Sequence, residues 1–321
     1  MLLVLRALGL GDFLTGLPAI QLLKEAHPAH ELVLAAPAVF APIVELAAAV
    51  EALQPTGELM PIDRRYVGVD VAVDLHGKGP ASRRLLAELR PCRLVGFAHP
   101  AAGLVGPAWL PGEHEVTRWC RMVAEAFGLT GRRWPGVVGA VEVPPLDAPA
   151  GVTIVHPGAA AGSRRWLPER FAEVATELRR QGHRVVITGG SRERSLVQGI
   201  ATATGATAML GLSLVELFAV VASARLVVCG DTGVAHVASN YQTPSVVLFG
   251  PVSPVGWGPP PDPRHRAIFH GDGRGDPHAE EPDPALLRIT VPEVLAAVAE
   301  VAAAVPSHVN PVSSASRRSP W

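Results

Sequence analysis

Residues 226–260 read LVVCGDTGVAHVASNYQTPSVVLFGPVSPVGWGPP. The stretch opens on an apolar run, residues 226–229, that stops at Gly230, which predicts a buried strand. Gly230, Asp231, Thr232 and Gly233 make a turn. A short helical pattern follows, with Val234, Val237 and Ala238 on one face. Thr243 and Pro244 end it, and the β-branched run 245–249 predicts a second strand. Strand, glycine-rich turn, helix, strand is the unit of a parallel α/β sheet. Its turn gathers free N–H groups and the positive end of the helix dipole, which suits a phosphate. Asp231 or Thr232 suits the N-cap, and the glycines let a ligand approach the backbone. Spacing alone serves a phosphate site and an unliganded N-capped helix equally well.

The same alternation extends in both directions. Residues 2–5 are apolar throughout, fit for a buried parallel strand. Gly9, Leu10, Gly11 and Asp12 read as its turn, and a helix is predicted from about Thr15 to His27 with Pro18 in its first turn. The Gly9-x-Gly11 spacing invites a dinucleotide fold. However, Leu14 stands where the third glycine belongs, and the strand at 32–36 ends without an acid to hold a ribose. Strands are predicted at 69–75 and 93–97, and helices at 80–89 and 114–127. His76 and Lys78 follow the turn after Asp74, facing either a cleft or solvent. Residues 143–150, VPPLDAPA, are proline-rich and aperiodic and read as a linker. Beyond it come strands at 152–155 and 184–188, and helices at 167–181, 191–204 and 214–222. The adjacent pair Arg164 and Arg165 precedes Trp166. A last helix starts near Val291, and the Ser-, Pro- and Arg-rich tail 306–321 is expected to be disordered.

The fold expected is α/β: two Rossmann-like, doubly wound domains, 1–148 and 149–305. Ligands bind such sheets beyond the carboxyl ends of the strands, here in a cleft between the domains. A length of 321 residues and 48% hydrophobic composition agree with two cores. The formal charge of -1 offers no field to draw in nucleic acid. Three cysteines lie far apart, without zinc or redox spacing, which points to reduced thiols in the cytoplasm. The apolar start is broken by Arg6 and lacks a basic leader, so it reads as a strand and not a signal peptide. No apolar run reaches the roughly 18 residues of a membrane span. The expectation is a cytoplasmic protein, able to dock at the inner face of a membrane.

DTGVAHVAS, then TPSVVLFGP, then WGPP resemble the signature of glycosyltransferase family 9, the heptosyltransferase family. Gly11-Asp12 with Pro18, the Asp74-Leu75-x-Gly77 turn, and His114 with Arg118 also resemble it. So does His156-Pro157-Gly158 followed by a basic residue two before Trp166 and then Pro168. The resemblance implies a GT-B architecture and inverting sugar transfer from a nucleotide-diphosphate sugar, typically ADP-heptose. The acceptor it implies is a hydroxyl of a surface polysaccharide or glycolipid. By the same resemblance Asp12 is the base. Arg164 beside Ser163, with Arg165 as its rival, holds the diphosphate together with Thr232 and Gly233. Asp231 and His236 shape that turn. Glu193 binds the nucleoside ribose or, equally, favours a helix dipole. Gly11, His76 and Lys78 lie on the acceptor side. The sequence contains no Asp-x-Asp, so no metal or other cofactor is expected. Two rivals stay open: a sugar-nucleotide epimerase or hydrolase of the same architecture, and a non-catalytic nucleotide-sugar-binding protein.

Overall fold

A computed structural model describes residues 1–129, 131, 141–144, 146 and 148–304. Strand β1 (Leu2–Leu5) is buried at every position. Leu2 and Val4 point into one core and Leu3 and Leu5 into another, so both faces of the sheet are covered. With β2 (Leu32–Ala36), β3 (Ala52–Pro55), β4 (Val71–Asp74) and β5 (Arg93–Val95) it forms a five-stranded sheet of order β3-β2-β1-β4-β5. Every pair is parallel, and Leu5 stands opposite Asp74. Helices α1 (Leu10–Ala26), α2 (Ala41–Val44), α3 (Ala81–Ala87) and α4 (Glu115–Phe127) complete this half.

The second half repeats the plan. Strands β6 (Thr153–His156), β7 (Val185–Gly189), β8 (Thr207–Leu210), β9 (Leu226–Gly230), β10 (Ser245–Phe249) and β11 (His265–Phe269) are all parallel. Their order is β11-β10-β9-β6-β7-β8, the doubly wound arrangement of nucleotide-binding sheets. Its helices are α5 (Pro168–Arg180), α6 (Arg194–Thr204), α7 (Leu214–Ala222), α8 (Gly233–Tyr241), α9 (Pro254–Trp257), α10 (Pro284–Arg288) and α11 (Val291–Ala304). The two halves share apolar packing: Leu17 and Ile20 of α1 belong to the same core as Val234 and Val237 of α8.

Four expectations change. Helix α1 begins at Leu10, not near Thr15, with Gly9 as its N-cap, so Gly11 and Asp12 lie inside its first turn. Gly-Leu-Gly looks like a turn, yet burial of the residues from Phe13 to Ile20 outweighs the weak helix propensity of two glycines. Pro18 consequently sits at the ninth position, past the first turn, and cannot supply the N–H that the Leu14 carbonyl would ordinarily accept. The helix predicted at 191–204 opens as a 3₁₀ turn over Ser191–Glu193. Strands β3, β8 and β11 carry no clear apolar run and escape the sequence reading. The linker 143–150 lies partly, and the tail 306–321 wholly, outside the described residues. Among the described residues no helix is long and apolar enough to cross a membrane.

Candidate functional site

Strand order reverses beside β1 in the first sheet and beside β6 in the second, and the loops leaving β1 and β9 open onto α1 and α8. The N-termini of these two helices meet. A Cβ on Gly11 would lie 2.8 Å from Cδ2 of His236, and one on Gly233 would lie 2.9 Å from Cβ of Leu10. Glycine at both places is what allows the approach. His114, the N-cap of α4, adds a second link. Its Nδ1 accepts from the Val116 N–H at 3.3 Å, which leaves Nε2 to donate to the Gly258 carbonyl at 3.0 Å. His236 is buried at this junction, 6.0 Å from the Trp257 ring. Burial first, then His114 and Arg6, bring its pKa down to about 4, so it is neutral at pH 7.

On the second-domain side, Asp231 follows β9 and is buried, and burial raises its carboxyl to about 6 against the pull of Arg164. Arg164 Nη1 lies 3.5 Å from the Asp231 carbonyl oxygen and 3.9 Å from its carboxylate. Its Nε is buried without a hydrogen-bond partner among the described residues. Arg165 is exposed, and its Nε donates to Ala159 O at 2.9 Å. Only the first of the two arginines is therefore brought to Asp231. Ser163 is buried with an unpartnered Oγ. Its N–H donates to Ala279 O at 2.9 Å and its carbonyl accepts from the Asp283 N–H at 3.2 Å, which straps the arginine turn to the loop before α10. Thr232 is the N-cap of α8, but its side chain makes no cap bond, and Asp231 stands one residue outside. Glu193 accepts from the Gly190 N–H at 2.7 Å. Its carboxylate fills the space that a Cβ on Gly158 would need, so it joins the turns after β6 and β7. His156, buried beside it, exchanges a 2.9 Å hydrogen bond with Thr188 Oγ1.

On the first-domain side, Asp12 is the third residue of α1 and part-exposed; no side chain caps that helix. Beneath it lies Arg6, almost wholly buried. Sequence reasoning took Arg6 only as a charge breaking an apolar run. A cation directly after a buried strand must find partners in the fold, and that was the available signal. His76 is buried at the end of β4, and its Nδ1 accepts from the Ala7 N–H at 3.2 Å, which places the ring proton on Nε2. Burial lowers its pKa, while Glu58 and Asp12 counteract this. Lys78 is exposed on the same loop. The site thus collects Gly11, Asp12, His76, Asp231, Gly233 and His236 around one junction, with Arg164 reaching in from the turn after β6.

Comparison with known proteins bears on the family and the fold. The family model described as glycosyltransferase family 9 (heptosyltransferase) matches residues 107–281, more than half of the chain. Lipopolysaccharide heptosyltransferase 2 of Escherichia coli K12 is 30% identical over 152 residues, covering 43% of this chain and 43% of that protein. The chain spans about two fifths of the length of the curated relatives it matches first. Among solved structures, a family 9 glycosyl transferase from Veillonella parvula covers 94% of this chain and 97% of its own, with TM-score 0.79 and 19% identity. E. coli ADP-heptose LPS heptosyltransferase II covers 94% and 98%, with TM-score 0.75 and 21% identity. The two-domain fold is theirs. The chain belongs to glycosyltransferase family 9.

Proposed function

We propose that the protein transfers a sugar, a heptose, from ADP-heptose to a hydroxyl of a surface polysaccharide or glycolipid, with inversion and without a metal. The observation that carries this reading is the meeting of two helix N-termini from two nucleotide-type sheets, with a carboxylate on one side and an arginine on the other. Names of similar proteins support the donor and acceptor: the relative above is a lipopolysaccharide heptosyltransferase and the solved structure an ADP-heptose enzyme.

In this reading Asp12 accepts the proton of the acceptor hydroxyl as its oxygen bonds to the anomeric carbon. The bond from that carbon to the diphosphate oxygen breaks in the same displacement, which inverts the centre. The negative charge leaving on ADP is met by Arg164 and by N–H groups of the first turn of α8, including Gly233. Arg164 is the better grip than Arg165 because it already reaches the Asp231 turn. Neutral His236 packs the junction without adding charge. Glu193, with one oxygen committed to Gly190, keeps the other for a ribose hydroxyl. His76 presents Nε2–H toward the acceptor side. The reaction takes place on the cytoplasmic side, where nucleotide sugars are made.

The test is release of ADP from ADP-heptose, with and without a heptose-deficient lipopolysaccharide core, in buffer and in EDTA. Acceptor-dependent turnover that survives chelation is expected. Turnover without acceptor would favour a hydrolase, and binding of ADP-heptose without turnover on any core would favour a binding protein. Activity lost in EDTA and restored by a divalent ion would remove metal independence.

A further inference from the structure

Arg6 is buried more deeply than Arg83 and Arg118, the other buried arginines of the first domain. Its Nε donates to the Asp12 carbonyl and its Nη1 to the Leu75 carbonyl. Its Nη2 lies 3.1 Å from Thr15 Oγ1, 3.6 Å from Asp12 Oδ1 and 3.8 Å from Glu115 Oε2. The guanidinium is 4.8 Å from the centre of the Trp119 ring. Gly16 makes the space: a Cβ there would lie 2.6 Å from Arg6 Nε.

We infer that Arg6 is a positioning residue, which holds the first turn of α1 and the Asp12 carboxylate in register with the end of β4. The inference rests on the reading of Asp12 as the base. A counter-ion role for Glu115 does not explain Arg6, because Arg118 and the Trp119 Nε1–H already engage that carboxylate. Stability alone does not explain it either. An apolar residue would continue the buried strand, whereas a buried charge carries a large desolvation cost. What Arg6 does alone is tie Asp12 to Leu75, while the next residue, Ala7, ties down His76. A single corner of the chain thereby fixes both acceptor-side groups.

The charged and titratable groups around Arg6 are Asp12 on α1, Asp74 and His76 at the end of β4, Glu115 and Arg118 on α4, and His236 on α8. Burial lowers Arg6 to about 10, so it remains a cation at neutral pH. Removing its fork frees the Asp12 carbonyl and the first turn of α1 from Leu75, so kcat should fall while ADP, held by the second domain, binds as before.

The test compares Arg6→Gln, which keeps a donor and loses the charge, with Arg6→Lys, which keeps the charge and loses the fork. Turnover of ADP-heptose with the lipopolysaccharide core is followed as kcat and KM, beside melting points and ADP affinity. Arg6→Gln should lower kcat by about 10²-fold, the scale of a misplaced reacting group, with ADP affinity unchanged within a few fold. Arg6→Lys, which keeps the charge but not the fork to the Asp12 and Leu75 carbonyls, should lower kcat as well. Gly16→Ala is the second variant, should Arg6→Gln fail to fold. It displaces the guanidinium and should lower kcat with ADP affinity unchanged within a few fold. Full turnover in Asp12→Asn would sink the base assignment and this inference with it. An inactive Asp12→Asn, with wild-type kcat in both Arg6→Gln and Gly16→Ala, would overturn this inference alone.

Discussion

Asp12 illustrates how one residue separates chemistry from folding. It lies in the first turn of α1, where a carboxylate helps the helix dipole by a few tenths to about 1 kcal/mol. It is not the cap, so Asp12→Asn loses no cap bond and costs only the dipole term and its share of the charge facing Arg6. If it is the base, the same change should lower turnover by about 10² to 10⁴ while ADP affinity stays within a few fold. Calorimetry, ADP titration and turnover on one preparation decide this; a normal rate removes Asp12 from the mechanism. Arg164 and Arg165 offer a second separation. Arg164→Ala should weaken ADP binding by about 1.5–3 kcal/mol, the range of a hydrogen bond to a charged group. Arg165→Ala should do less, since its side chain is exposed and bonded to Ala159. A loss of ADP affinity in the Arg165 variant alone would reverse the assignment. Asp12 and Arg164 were legible in the sequence because motif order marked them. Arg6 was not, because no motif marks it and its worth lies in a partner 69 residues away, the Leu75 carbonyl.

Elements were legible where burial is uniform. Strand β10 and helix α7 occupy the predicted residues from end to end; β10 is buried throughout, and a Ser213–Glu216 capping box marks the start of α7. Of the edge strands, β5 was read at 93–97, whereas β3, β8 and β11 were not legible. Strand β8 is TAML with two exposed residues, and β11 is HRAIF with Arg266 and Ala267 exposed side by side, so pairing with a neighbour decides them more than composition. The start of α1 failed for a related reason: its glycines serve the contact with α8, which no local pattern announces. That contact makes a prediction. Gly233→Ala would place a Cβ 2.9 Å from Leu10 Cβ, and the helices must part. Overpacking of this kind costs about 1–3 kcal/mol, and it should reduce turnover along with the melting point. Thermal unfolding and turnover check it; an unchanged pair would mean that the α1–α8 junction yields freely and positions nothing.

At the scale of the molecule, three buried groups near the junction give opposed pH responses. Burial raises Asp74 from 3.8 to about 6, against hydrogen bonds from Ser82 and the His76 N–H and the charges of Arg83 and Arg6. Burial raises Asp231 to about 6 as well, whereas His236 is lowered from 6.5 to about 4. A carboxyl raised on folding stabilises the fold fully below its unfolded pKa, and that contribution is lost as pH climbs through the folded value. Asp74 and Asp231 therefore act against the fold as pH rises from about 4 to 6. A histidine lowered on folding acts in the other sense, withdrawing stability as pH falls from about 6.5 toward 4. The three partly cancel, so the wild-type curve alone identifies none of them. Asp74→Asn isolates one, because the amide stays neutral at every pH and keeps the shape of the carboxyl. A shift of this size corresponds to roughly 3 kcal/mol for a buried group. The melting point of Asp74→Asn, relative to wild type, should accordingly climb between pH 4 and 7 and then level off. A difference that stays flat across that range would mean that Asp74 ionises in the fold as easily as in the open chain, and that the end of β4 is wetter than its burial implies.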